Sequence, residues 1–292
     1  MPSPYSKQHL KINNLQHLSH RLGYPVEFLE EVASKADSLY KFEEQPKKNG
    51  TGVRVISKPQ RPLKQIQKSI HRLLVELQIS ESAHCGIKKR SNVTNAKNHC
   101  NKKWLYSLDF KNFFPSISHH KINNLFFREL KCSPGVSSIL TRLCSVNGQL
   151  PQGGSMSMDL ANLICRKLDR RLEGLASKYN ITYTRHCDDL CFSGDSIPDS
   201  FKSSVKKIIQ CCGLQLNPDK EIISAHHTPQ AVVGLRVNRK DVRVPRGIRR
   251  EWRREEFLFK KYKSKNLAGP EREKTQQKIK GQNTYLSYVA NI

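Results

Sequence analysis

Arg185-His186-Cys187-Asp188-Asp189-Leu190-Cys191-Phe192-Ser193-Gly194 sets two adjacent carboxylates between two short runs of strand character, Ile181 to Arg185 and Leu190 to Phe192. Side chains alternate along a strand. A tight turn here therefore aims at least one carboxylate off the end of a sheet, where a divalent cation can hold it. Taken alone, the stretch fits a solvated acidic turn, the commoner fate of paired acids. The rest of the chain decides between the two.

Upstream, Trp104-Leu105-Tyr106-Ser107-Leu108-Asp109-Phe110 alternates as a half-buried strand and ends on a further acid, Asp109. A single acid closing a strand is ordinarily a loop residue or a helix cap. Phe113, Phe114 and Pro115 follow, before a helix predicted from about His119 to Leu130. Leu150-Pro151-Gln152-Gly153-Gly154 is a flexible loop feeding one long helix, whose apolar face runs through Leu160, Leu163, Ile164, Leu168, Leu172 and Leu175. Downstream, Phe201, Val205, Ile208 and Ile209 mark an amphipathic helix ending at Cys212, and Asn217-Pro218-Asp219-Lys220 is a turn. Ala231 to Val237 reads as a strand, with Val242 to Val244 hairpinned onto it.

Nearer the start, helical spacing of Leu10, Ile12, Leu15 and Leu18, then of Val26, Leu29, Val32 and Leu39, predicts two short helices. Lys47 to Gly52 is a basic turn before the strand Val53 to Ile56, which exposes Lys48 and Arg54, cations suited to a triphosphate or equally to a solvated loop. Pro62 to Ile79 is predicted as an amphipathic helix, and His84 to Lys103 as a basic surface loop with a short helix. Beyond Pro245, Arg246, Arg249, Arg250, Arg253, Arg254, Lys260, Lys261 and Lys263 fall at helical spacing with Trp252, Phe257, Leu258, Phe259 and Tyr262 between them. That pattern gives a small helical domain with an apolar seam and a basic face able to lie along a phosphate backbone.

Lys and Arg total 51 against 25 Asp and Glu in 292 residues, a formal charge of +26 that points to a polyanionic partner, nucleic acid above all. No apolar run long enough to span a bilayer and no signal peptide is evident, so the expectation is a cytoplasmic protein without a membrane partner. The nine cysteines form no C-x-x-C pair. His84-Cys85 and His99-Cys100 make a poor zinc set, because neighbouring ligands point apart.

Acids are scarce in this chain, yet they collect at strand ends, as ligands for the two metal ions of phosphoryl transfer would. At this point the chain resembles the bacterial retron-type reverse transcriptases. Asp109-Phe110-Lys111-Asn112-Phe113-Phe114-Pro115-Ser116-Ile117 resembles the family's first catalytic motif. Leu150-Pro151-Gln152-Gly153 with Leu160-Ala161-Asn162-Leu163 resembles its template and nucleotide loop, and Tyr183 to Gly194 its catalytic hairpin. Arg54, Pro59, Leu63, Lys64 and Gln67 match the fingers, Lys220 the lysine of the fourth motif, and Gln230 to Asn238 the strand before the thumb. Asn95-Ala96-Lys97-Asn98-His99 fits the N-A-x-x-H signature of retron enzymes. The chain departs from the family at His186-Cys187 (usually Tyr-Ala), at Gly154 to Met158 (Ala-Pro-Thr-Ser-Pro) and at Val232-Val233-Gly234 (Val-Thr-Gly). None of these removes an acid.

The resemblance implies a mixed α/β (α+β) right-hand polymerase. Helices would occupy residues 1–40, fingers 41–104, palm 105–238 with a finger insertion at about 119–156, and thumb 239–292. It implies an RNA-directed DNA polymerase using two Mg²⁺, with Asp109, Asp188 and Asp189 catalytic and the Phe110 carbonyl a further metal ligand. Lys48, Arg54, Phe114, Gln152 and Lys220 would meet the nucleotide. Asn95, His99, Arg246, Arg249, Arg250, Arg253 and Arg254 would meet RNA. Partners would be dNTPs, a cognate noncoding RNA with its DNA product, and a separately encoded effector in antiphage defence. The alternatives are a reverse transcriptase of the group II intron type, and an RNA-binding protein whose catalysis is reduced or lost.

Overall fold

A computed structural model describes residues 8–46, 52–263 and 269–291, with backbone alone at 262 and 263. Its strands are β1 (Tyr40–Pro46), β2 (Val53–Pro59), β3 (Trp104–Asp109), β4 (Thr182–His186), β5 (Asp189–Gly194), β6 (Ile222–Ala225), β7 (Ala231–Val232) and β8 (Leu235–Arg236). Its α-helices are α1 (Leu15–Leu22), α2 (Val26–Ser34), α3 (Leu63–Leu74), α4 (Asn92–Lys97), α5 (Phe113–Ser116), α6 (His119–Asn124), α7 (Pro134–Cys144), α8 (Ser157–Ile164), α9 (Arg166–Lys178), α10 (Asp199–Cys211), α11 (Arg246–Leu258) and α12 (Gly269–Ala290). These fall into two units. One holds residues to Gly86, Phe110–Leu172 and Lys206–Leu216; the other holds Ile87–Asp109, Glu173–Val205 and the chain from Asn217.

The first unit is a helical cluster with the β1–β2 hairpin. Leu63, Ile66, Ile70, Leu73 and Leu74 recur at the period of a helix and are buried. α3 ends at Leu74, short of the predicted Ile79, because Leu77 reaches the core from irregular chain and satisfies the apolar spacing without a helix. Gln67 is fully buried on α3 and donates to the Tyr40 hydroxyl (2.7 Å) and the Leu143 carbonyl (2.9 Å), fastening β1 and α7 to it. The single long helix predicted after Gly154 is instead two, α8 and α9, interrupted at Cys165. The apolar stripe Leu160, Leu163, Leu168 and Leu172 stays buried across the break.

The second unit is built on an antiparallel sheet of order β4-β5-β3-β6. Its register sorts the side chains onto two faces. Tyr106, Tyr183 and Phe192 share one face: the Tyr183 and Phe192 rings stack at 4.9 Å, and Phe201 of α10 meets Phe192 edge-on at 5.4 Å. The other face carries three rows, read from the strand ends inward: Asp109, Asp189 and His186; then Ser107, Cys191 and Thr184; then Leu105, Ser193 and Thr182. Val93 and Ala96 of α4 pack on this second face, in a core with Leu105, Cys191, Val232, Leu235, Val237, Val242, Val244 and Val289. Ala231 to Val237 is no single strand: Val233 (φ 46°) and Gly234 (φ 79°) both turn left-handed, making a small β7–β8 hairpin. Val242 to Val244 lies beside it as expected, through the Arg236–Arg243 bridge.

α11 and α12 pair through Trp252 and Tyr285 (6.3 Å, edge-on), and α12 reaches α4 through the hydroxyl of Tyr285, which accepts from Asn92 Nδ2 at 2.6 Å. Among the described residues no helix is long and apolar enough to cross a membrane.

Candidate active site

Asp109 is the last residue of β3 and is 6% exposed. Two bonds fix it: its carbonyl accepts from Asn217 N (2.8 Å), and its carboxylate Oδ2 accepts from Lys220 Nζ (2.7 Å). Lys220 is presented by a 3₁₀ turn over Pro218–Lys220, which starts on a proline and is capped by Asn217, whose side chain accepts from Asp219 N. The sequence Asn-Pro-Asp-Lys thus folds into a bracket that puts an ammonium on Asp109.

Asp189 stands directly opposite Asp109 in the β3–β5 ladder, and His186 stands opposite Asp189 in the β4–β5 ladder. Cys187 and Asp188 form the two-residue turn between β4 and β5. Cys187 adopts φ 61°, a left-handed conformation that costs a non-glycine residue about 1–2 kcal/mol. Arg185, fully buried, donates from Nη1 to the Cys187 carbonyl at 3.1 Å and holds that turn from inside.

Three carboxylates gathered this closely repel one another. Burial is the largest cause pushing the Asp189 carboxyl up, to about 7; the negative charges of Asp188 and Asp109 add to it, while Lys220 and His186 oppose it. Among the described residues no three His, Cys, Asp or Glu side chains converge as a preformed metal cage. The donor set nevertheless fits a hard divalent cation: all-oxygen ligands, mutually repelling, with the Lys220 ammonium standing against Asp109 as the counter-charge. Zinc at His84-Cys85 and His99-Cys100 is ruled out by His99, whose two ring nitrogens are both engaged by hydroxyl groups, described below.

In the other unit, Arg54 is exposed on β2, and Ser57 N of the same strand donates to the Gln152 carbonyl at 2.8 Å. Gly153 (φ 118°) lets the loop press against β2; a Cβ there would stand 3.0 Å from Ile56 Cγ2. Phe114 is half-buried in α5, edge-on to Phe113 at 5.5 Å, and Phe110 is buried against Phe113 at 5.3 Å. Lys48 lies outside the described residues.

Of the predicted RNA contacts, Arg246, Arg250, Arg253 and Arg254 are exposed on α11 and Arg249 is half-buried. Asn95 and His99 are different. Both are fully buried, so neither presents its side chain to an RNA surface; the polar, lysine-rich neighbourhood that suggested exposure surrounds a helix whose own inner face is core. Sequence reading also passed over Thr184, Ser193 and Arg185, polar groups buried beside the turn. The signal that marks them is a hydroxyl or guanidinium set inside an otherwise apolar strand.

A model of the family "Reverse transcriptase (RNA-dependent DNA polymerase)" matches residues 45–240. The chain is 33% identical over 239 residues to the retron Ec86 reverse transcriptase of Escherichia coli, covering 80% of this chain and 74% of that protein. The chain belongs to the retron-type reverse transcriptases. This reverse transcriptase is also 33% identical over 214 residues to the retron Mx65 reverse transcriptase of Myxococcus xanthus, covering 66% of this chain and 50% of that one. It therefore spans about three quarters of the one relative and half of the other. Among solved structures, apo telomerase from Candida tropicalis superposes with a TM-score of 0.51 at 14% identity, over 70% of this chain and 47% of that one. That likeness is one of fold and agrees with a mixed helix-and-sheet, right-hand polymerase class. As a member of this family the reverse transcriptase is an RNA-directed DNA polymerase that depends on divalent metal.

Proposed function

We propose that this reverse transcriptase copies part of a cognate structured noncoding RNA into DNA from the 2′-OH of an internal guanosine, leaving a branched RNA–DNA hybrid (msDNA), by nucleotidyl transfer with two Mg²⁺. The observation that carries the reading is the facing pair Asp109 and Asp189 with Asp188 in the turn beside them and Lys220 on Asp109. Asp109, Asp188 and the Phe110 carbonyl are the residues to hold the ions. Asp188 sits in the turn, outside the ladder, and Asp189, in the ladder opposite Asp109, acts as the outer ligand. When bound, the ions activate the attacking hydroxyl and neutralise the departing pyrophosphate.

The chain's own groups do the rest. Arg54 and Lys48 bind the triphosphate, Gln152 touches the nucleotide or its template partner, and Lys220, released from Asp109, gives a proton to the pyrophosphate. The arginines of α11 track the phosphate backbone. We assign helices to 1–40, fingers to 41–104, palm to 105–238 with an insertion at about 119–156, and thumb to 239–292. Kinship with retron enzymes supports a cytoplasmic role in antiphage defence beside a separately encoded effector.

Purified protein given its RNA, dNTPs and Mg²⁺ extends DNA, and sequencing the nucleic acid that co-purifies reads template, branch and product together. Protein that carries no nucleic acid and incorporates no dNTP overturns the reading.

Phe114, five residues after Asp109, is the residue we assign as a gate beneath the sugar, where a ring would collide with a ribose 2′-OH. Phe114→Ala is expected to relax discrimination against ribonucleotides by about ten- to hundredfold, the size of one lost steric contact. The ratio of kcat/KM for dNTP and rNTP measures it; an unchanged ratio removes Phe114 from that role.

A further inference from the structure

We infer that His99 is a positioning residue for the catalytic turn, acting through the β4–β5 ladder and not through RNA; the inference rests on the metal site proposed above. The His99 ring is fully buried, with Nδ1 2.7 Å from Ser193 Oγ and Nε2 2.7 Å from Thr184 Oγ1. A neutral imidazole has one donor and one acceptor, and a hydroxyl can play either part, so both contacts are satisfied together.

The geometry of this contact is what gives it a function. Thr184 faces Cys191 across the ladder, and Ser193 faces Thr182, so His99 joins residues on the diagonal of the β4–β5 pair. Diagonal neighbours stand roughly 7–8 Å apart, a span the two nitrogens of one ring can bridge. A slip of one residue between the strands would send one hydroxyl to the opposite face and leave a ring nitrogen buried without a partner, so the bridge penalises any other register. The same face carries His186 and Asp189 in the next row toward the turn. The register that His99 enforces is therefore the one that sets Asp189 against Asp109.

His99 is itself held from behind. Its N–H donates to Ala96 O (3.0 Å) at the end of α4, a helix opened by a reciprocal Ser91–Thr94 capping box and packed through Val93 and Ala96. Two residues on, Asn101 N donates to Val237 O at 2.8 Å. Arg185 secures the turn's backbone from the other side of β4, through Cys187 O. Acids that must converge on metal to within about 0.5 Å need such backing, since a misplacement of about 1 Å costs on the order of a hundredfold in rate.

Thr184→Val and Ser193→Ala delete the hydroxyls at nearly constant volume and leave His99 in place. Together they are expected to lower kcat about ten- to hundredfold. They are also expected to raise several-fold both the Mg²⁺ concentration for half-maximal rate and the Kd for Mn²⁺, read by electron paramagnetic resonance without turnover, while RNA affinity stays within about twofold. His99→Gln, which keeps a donor and an acceptor, recovers part of what His99→Leu loses, and in the His99→Leu background the hydroxyl deletions add little further. Weakened RNA binding with unchanged Mn²⁺ affinity, or full additivity between His99→Leu and the hydroxyl deletions, overturns the inference. A wild-type enzyme whose synthesis needs no divalent ion overturns the metal reading instead, a separate result.

Discussion

Asp109→Asn reverse transcriptase is expected to bind its RNA with wild-type affinity and to lose DNA synthesis by about a thousandfold or more. The substitution keeps shape and removes one charge from the acid that anchors the site, and the metal's charge stabilisation amounts to several kcal/mol, each ~1.4 kcal/mol being tenfold in rate. RNA affinity rests on a different quantity, a net charge of +26 spread over the chain, which one neutralised carboxylate scarcely alters. Folding is expected to survive. The amide oxygen can still accept from Lys220, whose side chain is 46% exposed and free to turn to water, and repulsion with Asp189 is relieved. Gel-shift affinity, a thermal melt and primer extension on one preparation separate these effects; turnover within tenfold of wild type would end the assignment of Asp109 to the metal.

The second large effect is a pH dependence of the metal-free protein. The Asp189 carboxyl is raised from 3.8 to about 7 by burial and by its acidic neighbours. Between those values the folded chain keeps a proton that the unfolded chain has released. Stability from this group is therefore highest below about pH 4 and falls as pH rises to 7, then levels off. The loss is about 2–4 kcal/mol, the upper figure holding before water relaxes the site. In EDTA, wild-type protein is expected to melt several degrees lower at pH 8 than Asp189→Asn, and the gap should narrow at pH 5. Mg²⁺ should raise the wild-type melt more than that of the variant. A variant that melts with the wild type at pH 8 in EDTA would show that Asp189 is not the strained acid.

Both expectations rest on acids whose local setting was partly legible from residue order: alternation along Trp104 to Asp109 and a hairpin turn between Arg185 and Leu190 are local properties, but the turn is only Cys187-Asp188, and Asp189, read as part of it, is paired in β5. Their meeting was less legible. β3 and β5 lie far apart in the chain, and sheet order β4-β5-β3-β6 is not sequence order. The Lys220–Asp109 contact joins residues 111 positions apart, and nothing in the turn Asn217 to Lys220 announces its partner. His99 and Asn95 were read outward because Lys88, Lys89, Arg90, Lys102 and Lys103 surround them. Burial there is decided by Val93 and Ala96 on the inner face of α4, a helix too short to show a clear period. The break at Cys165 had no glycine or proline to signal it.

The two-faced sheet of the second unit separates the genetics of this enzyme. Alleles that trim the stacked rings of Tyr106, Tyr183, Phe192 or Phe201 act on abundance: fewer molecules survive at high temperature, and each survivor works normally. Alleles at Thr184 or Ser193, on the face that carries the acids, lower abundance too, because they leave a buried His99 nitrogen unpartnered, and in addition weaken each molecule that remains. Cooling the culture rescues the first class and restores only the abundance of the second.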